Sequence, residues 1–375
     1  IGSGLVGSEM CIRDRYIANP LFAWNTSIGQ WSNLTDFPVY DLKPERTNSF
    51  EVGMNMRFLK NFELDVTYYN AKTMNQTFNP ELPVGEYARI YIQTGAVRNQ
   101  GLELALNYNN TWKDFTWNTG VTYSMNKNKI LTLADNAINP ITREKFSISS
   151  LNMGGLGSTR FILKEGGSMG DIYSLMDLKR DANGAVYIDE NNSVVTESLE
   201  ANNYIKLGSV LPKGNLAWRN NFSWKNINVA FLVSARLGGV VFSRTQAVLD
   251  NFGVSEASAA ARDKGYVSVN GNDRVNPEGW YSVVAGGTAV PQYYIYSATN
   301  IRLQEASIGY TIPRKWLGNV CDIKVSLIGR NLWMIYNKAP FDPESVASTD
   351  NFYQGIDYFM MPSLRNIGFN LSFKF

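Results

Sequence analysis

The last ten residues of the chain, NIGFNLSFKF at positions 366–375, alternate strictly between two kinds of side chain. Every odd position from 367 onward is isoleucine, leucine or phenylalanine, and every even position is asparagine, glycine, serine or lysine. Successive side chains of a β-strand point to opposite faces of the sheet. The pattern therefore predicts a strand with one apolar face and one polar face, ending at Phe375.

The same period of two recurs along the whole chain and predicts about eleven strands, many of them about ten residues long. A ten-residue strand tilted by about 45° rises roughly 23 Å, close to the apolar band of an outer-membrane barrel. Strands of soluble proteins are usually shorter, at about five or six residues. The clear stretches are 50–58, 62–68, 102–108, 114–126, 216–224, 227–237, 320–327 and 366–375, and the weaker ones are 159–166, 171–179 and 300–311.

The composition narrows the class of protein further. Of the 375 residues, 44% are hydrophobic, 13% are aromatic and only 18% are charged. No stretch of about 18 consecutive apolar residues is present, as a membrane-spanning helix would need. If the chain enters a membrane, only a β-barrel can do so, because every backbone polar group there needs a partner on a neighbouring strand.

Several functional classes are excluded or disfavoured by the residue counts. The net charge is +2 and there is no basic stretch, so nucleic-acid binding has no electrostatic support. The chain has no histidine, which removes Ser-His-Asp catalysis and histidine-based zinc sites. Cys11 and Cys321 are the only cysteines and do not make a disulfide framework.

Short and long links alternate between the predicted strands. This asymmetry is typical of transmembrane barrels, which have short periplasmic turns and long extracellular loops. It places Phe375 on the periplasmic side and disfavours a soluble sandwich. The short links are 60–61, 112–113, 167–168, 225–226 and 312–320, and the long links are 75–91, 127–158, 180–212, 238–299 and 332–363.

The two faces of the predicted strands have different solvents. The apolar side chains point to lipid, and the polar ones point to a wet lumen. A cation on the lipid face near the midplane costs about 2–4 kcal/mol, and the strand residues Arg57, Arg219, Arg236 and Lys324 all fall on the polar face. Aromatic residues near strand ends are expected to form interfacial girdles, and the candidates are Tyr68, Trp112, Trp117 and Trp224.

Local strings within and beside these strands resemble the SusC/RagA family of TonB-linked outer-membrane transporters. Their order and spacing over residues 40–375 carry the resemblance more than any one string. The strings are LKPERT at 42–47, VRNQGLEL at 97–104, NKNKI at 126–130, IRL at 301–303, GRNL at 329–332, DPE at 342–344 and the closing Phe375.

The resemblance implies a barrel of about 22 strands that is plugged by an N-terminal domain. It implies energy from a TonB-type protein, which would contact a region outside this sequence, and a SusD-like surface lipoprotein as a lid. The cargo in the family is usually a glycan oligomer or a peptide. It implies no cofactor. The other partner is the lipid of the outer membrane.

The chain is expected to have two parts. Residues 1–15 resemble translated sequencing-adapter sequence and are expected to be non-native. Residues 16–375 are expected to be a partial barrel without the plug, about eleven C-terminal strands of the 22. The first strand would then have an unpaired edge.

Four aromatic residues in the longest loop, 238–299, are the candidate contacts for cargo or lid. They are Trp280, Tyr281, Tyr293 and Tyr294, whose rings could stack on sugars or on peptide side chains. The alternative is that these rings pack the loop or belong to a girdle.

Two other motifs have a structural alternative that is favoured. The string DANG at 181–184, with Asp189 and Glu190 after it, resembles part of a calcium loop, but Asn-Gly is an ordinary turn dipeptide. Asp342, Glu344 and Asp357 could be catalytic carboxylates of a glycosidase, but nothing in the sequence fixes their separation, and surface loops are normally acidic. We therefore expect neither a catalytic nor a metal site.

The leading hypothesis is active import of an oligomeric nutrient across the outer membrane, by a protein that is not an enzyme. The alternatives are a passive outer-membrane pore, an outer-membrane enzyme, or a soluble β-rich binding protein such as an adhesin.

Overall fold

Nine long strands form one antiparallel sheet, in which each strand pairs with its neighbours in the sequence. Their order in the sheet is their order in the chain, as expected for an up-and-down barrel wall. In the part of the chain that the structure describes, β1 and β9 are each paired on one side only. The strands are β1 Arg46–Phe58, β2 Phe62–Phe78, β3 Ile92–Trp112, β4 Phe115–Thr132, β5 Gly214–Trp224, β6 Ile227–Leu237, β7 Asn300–Ile312, β8 Asp322–Asn337 and β9 Asn366–Lys374.

The structure is a computed structural model. The predicted non-native segment 1–15 and the terminal Phe375 lie outside the residues that it describes. It describes residues 44–78, 89–90, 92–138, 144–287, 289–318, 320–348 and 353–374, together with the short strands Phe22–Asn25, Gln30–Asn33 and Asp36–Phe37.

The all-β class is confirmed, but two of the weaker strand predictions were wrong about the sheet they join. Residues 159–166 and 171–179 contribute Thr159–Lys164 and Asp171–Ser174 to a separate four-stranded sheet with Ser150–Leu156 and Ile205–Ser209. The nine strands of the main sheet thus replace the expected eleven in the described residues. Alternation reports that a strand has two unlike faces, and it does not report which sheet the strand joins.

The alternation of short and long links holds with this smaller set of strands. The short links are 59–61, 113–114, 225–226 and 313–321, and the long ones are 79–91, 133–213, 238–299 and 338–365. Three of the short turns carry a lysine in the left-handed backbone conformation, namely Lys60, Lys113 and Lys225. The predicted turn at 167–168 lies inside the long link 133–213.

An aromatic girdle runs across the sheet at its short-turn end. Phe62 lies 4.7 Å from Tyr108 between ring centroids, Tyr108 lies 5.3 Å from Trp117, and Trp117 lies 6.0 Å from Phe222. Rings at the height of the lipid headgroups are typical of membrane barrels. The predicted girdle positions Trp112 and Trp117 belong to this row, and Trp224 stands beside it under the Lys225 ammonium. Tyr68 lies higher on β2, opposite Val52 and Leu102.

Two polar side chains of the outer face lie at the height of the girdle ring Tyr108. Thr119 and Asn220 face each other across β4 and β5, and Asn220 is only 1% exposed. The indole of Trp117 donates a hydrogen bond to Asn220 Oδ1 at 3.1 Å, and the indole of Trp218 donates one to Thr119 Oγ1 at 3.1 Å. The rings therefore cover both side chains and give Asn220 Oδ1 and Thr119 Oγ1 a donor each, which lowers the cost of placing them beside lipid, while Asn220 Nδ2 is buried without a hydrogen-bond partner among the described atoms.

The long links fold together at the other end of the sheet. Their shared hydrophobic core takes Phe161 and Val210 from one link, Phe242 and Tyr294 from another, and Ile356 from a third. The described residues of links 133–213, 238–299 and 338–365 form a packed assembly that we call the cap. Because the three links share one core, the cap is a folded unit.

The cap contains three helices, and each begins at a residue whose side chain accepts a hydrogen bond from the first turn. Helices α1 Arg244–Asn251, α2 Glu256–Lys264 and α3 Pro277–Val284 are capped by Ser243, Ser255 and Asn276. Among the described residues, no helix has the length and apolarity that crossing a membrane requires.

The remaining elements are short. The 3-10 turns are Ala201–Asn203, Pro291–Tyr294 and Arg314–Leu317, and the strands not yet named are Arg89–Ile90, Ala134–Ile138, Lys145–Ile148, Met176–Leu178, Thr196–Ser198, Val240–Ser243, Val267–Val269, Asp273–Val275, Ile295–Ser297 and Ile356–Asp357.

The face assignment predicts opposite outcomes for two adjacent positions of β4. Val121 lies mid-face on the lipid side, opposite Leu106, whereas Thr122 points into the lumen, opposite Ala105. We expect Val121→Arg to lower the free energy of unfolding by about 2–4 kcal/mol, and Thr122→Arg to have a much smaller effect. Urea unfolding of the intact barrel protein in lipid vesicles, followed by tryptophan fluorescence, measures both. Equal losses would contradict the assignment.

Candidate functional site

The inner face of the sheet forms a polar wall. Alternate residues of β2 to β6, with contributions from β7 and the cap, enclose a cavity of about 680 Å³. Acidic residues stand on β2 and β3, and a cation stands on β6. The polar residues that line this cavity are Asp65, Thr67, Glu103, Thr122, Ser124, Asn215, Ser234, Arg236, Gln304 and Glu344.

Arg236 joins this wall to the cap. Its Nη2 donates a hydrogen bond to the backbone oxygen of Val210 at 2.7 Å. Val210 belongs to the shared core of the cap and is 1% exposed. The guanidinium therefore connects a strand of the wall to the folded loops above it.

Arg302 on β7 makes the strongest connection between wall and cap. Its Nη2 lies 2.9 Å from Asp342 Oδ1 and 2.8 Å from Glu344 Oε2, and its Nε donates to Asn300 Oδ1 at 3.2 Å. The Arg302 and Asp342 side chains are each only 9% exposed. Ser363 also donates a hydrogen bond to Asp342. The cluster fixes link 338–365 to the top of the wall, with each charge paired and hydrogen-bonded.

Two strings that resemble the SusC/RagA family therefore meet in space. The string at 301–303 supplies Arg302, and the string at 342–344 supplies both of its carboxylate partners. The sequence marked both strings without assigning Arg302 a role. The signal that could have indicated this role is that Arg302 lies between Ile301 and Leu303, two apolar residues of the outward face.

We expect Arg302→Gln to release link 338–365. Removing one partner of a buried pair costs about 3–5 kcal/mol, because the other charge stays buried and unpaired. Arg330→Gln is the matched control, since the Arg330–Glu305 pair is 68% and 42% exposed and such pairs contribute about 1 kcal/mol or less. Hydrogen exchange and limited proteolysis of 338–365 measure the release. Equal exchange in the two variants would contradict this function of Arg302.

The same cluster predicts a dependence on pH. Burial alone raises the pKa of the Asp342 carboxyl, but hydrogen bonds from Ser363, Arg302 and the Glu344 N–H, with the charge of Arg302, hold the pKa below its ordinary value. Because the folded pKa is depressed, the stabilisation is complete above the unfolded pKa and is lost as the pH falls through the folded pKa.

Exchange in 338–365 should therefore rise as the pH is lowered from about 5 to about 2. Pulse-labelling after incubation at each pH measures this directly. Asp342→Asn should exchange freely at both ends of the range, and a wild-type profile that is flat in pH would rule out the linkage.

The four aromatic residues predicted as contacts occupy different environments. Tyr294 is 3% exposed and donates a hydrogen bond from its hydroxyl to Asp250 Oδ2 at 3.0 Å. Burial, and then the charge of Asp250, raises the pKa of Tyr294. Trp280 packs on the cap core and lies edge-on to Tyr293, with 5.2 Å between ring centroids. Tyr293 remains 41% exposed.

Tyr281 lines a pocket between the helices of the cap. The pocket has a volume of about 480 Å³ and also presents Asp250, Ser258, Arg262 and Glu278. Burial, followed by the charge of Asp250, raises the pKa of Tyr281. The pocket offers an aromatic ring beside both acceptors and donors of hydrogen bonds. Asp250, whose carboxylate accepts the hydrogen bond from Tyr294, was not indicated by the sequence.

The calcium-like string is a turn. Asp181 Oδ1 accepts hydrogen bonds from the backbone N–H groups of Asn183 and Ala185, at 2.8 and 2.9 Å. Asp189 Oδ1 accepts the same pair of bonds from Asn191 and Ser193. Such Asx turns use the carboxylate to close the loop. In the described part of the chain, no group of three or more potential ligand residues is placed to hold a metal ion.

The three candidate catalytic carboxylates already have partners. Arg302 binds Asp342 and Glu344, and Asp357 accepts a hydrogen bond from Ser243 Oγ at 2.6 Å. Asp357 pairs with Ser243 along a short parallel bridge in the cap. All three side chains therefore serve the packing of the loops.

The comparison with protein families shows to which family the chain belongs. The sequence model described as "TonB dependent receptor-like, beta-barrel" matches residues 17–230, more than half of the chain. The chain belongs to this family. The outer-membrane location expected from the alternation of loops and faces is thereby confirmed, and the SusC/RagA resemblance gains support at the level of the wider family.

Two curated TonB-dependent receptors of Formosa agariphila are similar to this receptor barrel. Receptor P3 is 26% identical over 383 residues, covering 91% of this chain and 35% of the receptor. Receptor P26 is 27% identical over 356 residues, covering 88% of this chain and 34% of the receptor. The chain therefore spans about a third of the length of the curated relatives that it matches.

Solved structures confirm the RagA-like fold of this receptor barrel. The RagAB peptide importer in its open-open state superimposes with a TM-score of 0.68 at 17% identity, covering 96% of this chain and 38% of that chain. Its closed-closed state gives 0.66 at 17% identity, with 94% and 38% covered. At this identity, the likeness shows the fold.

Proposed function

We propose that the chain forms part of the barrel wall and the extracellular cap of an importer for oligomeric nutrients. The supporting observation is the join between the two: a polar lumen wall on which Arg302 and Arg236 hold a folded cap at the outer end. A passive pore has no need of a cap tied to its wall. Membership of the TonB-dependent receptor family supports the same proposal.

Membership of the TonB-dependent receptor family supports a proposal for the energy source and the partners. A TonB-type protein would act on a region outside this sequence, and a SusD-like surface lipoprotein would cover the cap. The cargo is a glycan oligomer or a peptide, since the cap offers aromatic rings with flanking polar groups. The protein is not an enzyme in this proposal, because its candidate carboxylates are engaged in the cap.

Uptake by cells that express the intact protein separates active import from a pore. Import of fluorescently labelled oligosaccharides and peptides should stop when the proton gradient is collapsed by an uncoupler. Uptake that persists without the gradient would indicate a passive pore and overturn the proposal. Cleavage of the labelled cargo by purified protein would instead indicate an enzyme.

Within the cap, Tyr281 and Tyr293 are the proposed contacts to cargo or lid, with Trp280 holding Tyr293 in place. Tyr294 supports them from the core. The rings of Tyr281 and Tyr293 belong to helix α3 and to the turn that follows it. Their place in the cap fits a molecule that arrives from outside.

We expect the double variant Tyr281→Ala and Tyr293→Ala to bind cargo or lid about tenfold more weakly, since aromatic contacts contribute about 0.5–1.5 kcal/mol each. Tyr187→Ala is the control, because Tyr187 is 40% exposed in another hairpin of the cap. Calorimetry with an oligosaccharide panel, a peptide panel and the purified lipoprotein identifies the ligand. Unchanged affinity in the double variant for every ligand that binds would rule out these contacts.

A further inference from the structure

A row of cations crosses the outer face of the barrel at its extracellular end. Lys72 on β2 lies directly opposite Arg98 on β3, and Arg98 lies directly opposite Lys129 on β4. Lys127 stands one row below, opposite Gln100. We call these four residues the cationic row.

The cationic row points outward, away from the lumen. Pairing between β2 and β3 is regular from Phe62 to Met74, and pairing between β3 and β4 is regular from Val97 to Trp112. The alternation of faces is therefore unbroken from the aromatic girdle up to the row. Asn99, which lies between Arg98 and Gln100, faces the other way and bonds Asn126 and Asn128.

The height of the row matches the edge of a membrane. Lys72, Arg98 and Lys127 each lie ten residues above a ring of the girdle on the same strand, namely Phe62, Tyr108 and Trp117. Ten residues at about 3.3 Å and a tilt of about 45° rise about 23 Å. The girdle and the row thus mark the two limits of an apolar band about 25 Å tall.

The row has no counter-charge within the described protein. None of the four cations forms an ion pair among the described residues. At the two levels of the sheet that the four cations occupy, the other outward side chains of β1 to β3 are Asn48, Phe50, Asn70 and Gln100. The Nε atom of Arg98 is buried and has no hydrogen-bond partner among the described atoms. Directly opposed like charges are about 5 Å apart between Cβ atoms and destabilise a sheet.

We propose that the cationic row binds the phosphate groups of a phosphorylated lipid in the outer leaflet. Phosphate oxygens would accept hydrogen bonds from Lys72, Arg98 and Lys129 and neutralise their repulsion. The acyl chains of the same lipid would lie on the apolar face below, which begins with the row of Tyr68, Leu102 and Met125. The position beside the membrane, outside the lumen, favours a lipid over cargo or a surface protein.

The test compares the intact protein with a triple variant, Lys72→Gln, Arg98→Gln and Lys129→Gln. The matched control removes three cations at the opposite rim of the same sheet: Lys60→Gln, Lys113→Gln and Lys225→Gln. Native mass spectrometry in detergent titrates each protein with lipid A, with the same lipid after removal of its phosphates, and with inorganic phosphate.

We expect the wild type and the control to bind lipid A equally, and the triple variant to bind it about a hundredfold more weakly. Removal of the phosphates from the lipid should weaken wild-type binding to the same degree. Equal binding of lipid A by the triple variant, or equal binding of the dephosphorylated lipid by the wild type, would overturn the proposal. Inorganic phosphate that binds as tightly as lipid A would overturn the choice of a lipid.

Urea unfolding without added lipid separates binding from folding. Because the variant removes repulsion between opposed cations, we expect the lipid-free triple variant to be at least as stable as the wild type. A less stable triple variant would show that the row serves the fold, and would overturn its assignment as a lipid site.

Discussion

The rest of the structure depends on the pairing of backbone groups between strands inside a solvent that offers no hydrogen bonds. In lipid, an unpaired N–H or C=O costs several kcal/mol, so strands survive only in a continuous ladder. The ladder runs from β1 to β9 and is regular through the apolar band from β1 to β6, with a bulge at Gln304 where β7 pairs with β6 and β8. Three features are consequences of this pairing: the alternation of apolar and polar side chains along each strand, the lipid and lumen faces of the sheet, and the confinement of long links to strand ends.

The long links face the opposite problem, since they leave the ladder and must satisfy their own backbone. They do so by folding on one another, with a core of their own and helices capped by Ser243, Ser255 and Asn276. Arg302 and Arg236 then attach this core to the wall. Two buried or half-buried guanidinium groups therefore fix the cap to the wall.

Much of the wall was predictable because its physics is local. Each lipid-facing strand shows its alternation within about ten residues, and the links between strands show the orientation. The strands at 159–164 and 171–174 were misplaced because their alternation is equally good in a small sheet within the cap. The pairing of Arg302 with Asp342 joins residues 40 apart in the chain, and the burial of Tyr294 depends on three links packing at once. Neither the ion pair nor the burial of Tyr294 produces a periodic pattern in the sequence.

The height of a residue on its strand decides what a polar group on the outer face can do. Thr119 and Asn220 lie at the lower limit of the apolar band, in the row of the girdle ring Tyr108, where two indole N–H groups donate to Thr119 Oγ1 and Asn220 Oδ1. The cations of the cationic row lie at the upper limit of that band, where headgroups and water can reach them. Asn220 Oδ1 receives a hydrogen bond from an indole, whereas Asn220 Nδ2 and Arg98 Nε are both buried without a hydrogen-bond partner among the described atoms. Polar groups that the rings cover depend on the protein for their partners, whereas the cations at the upper limit take theirs, in our proposal, from the headgroups.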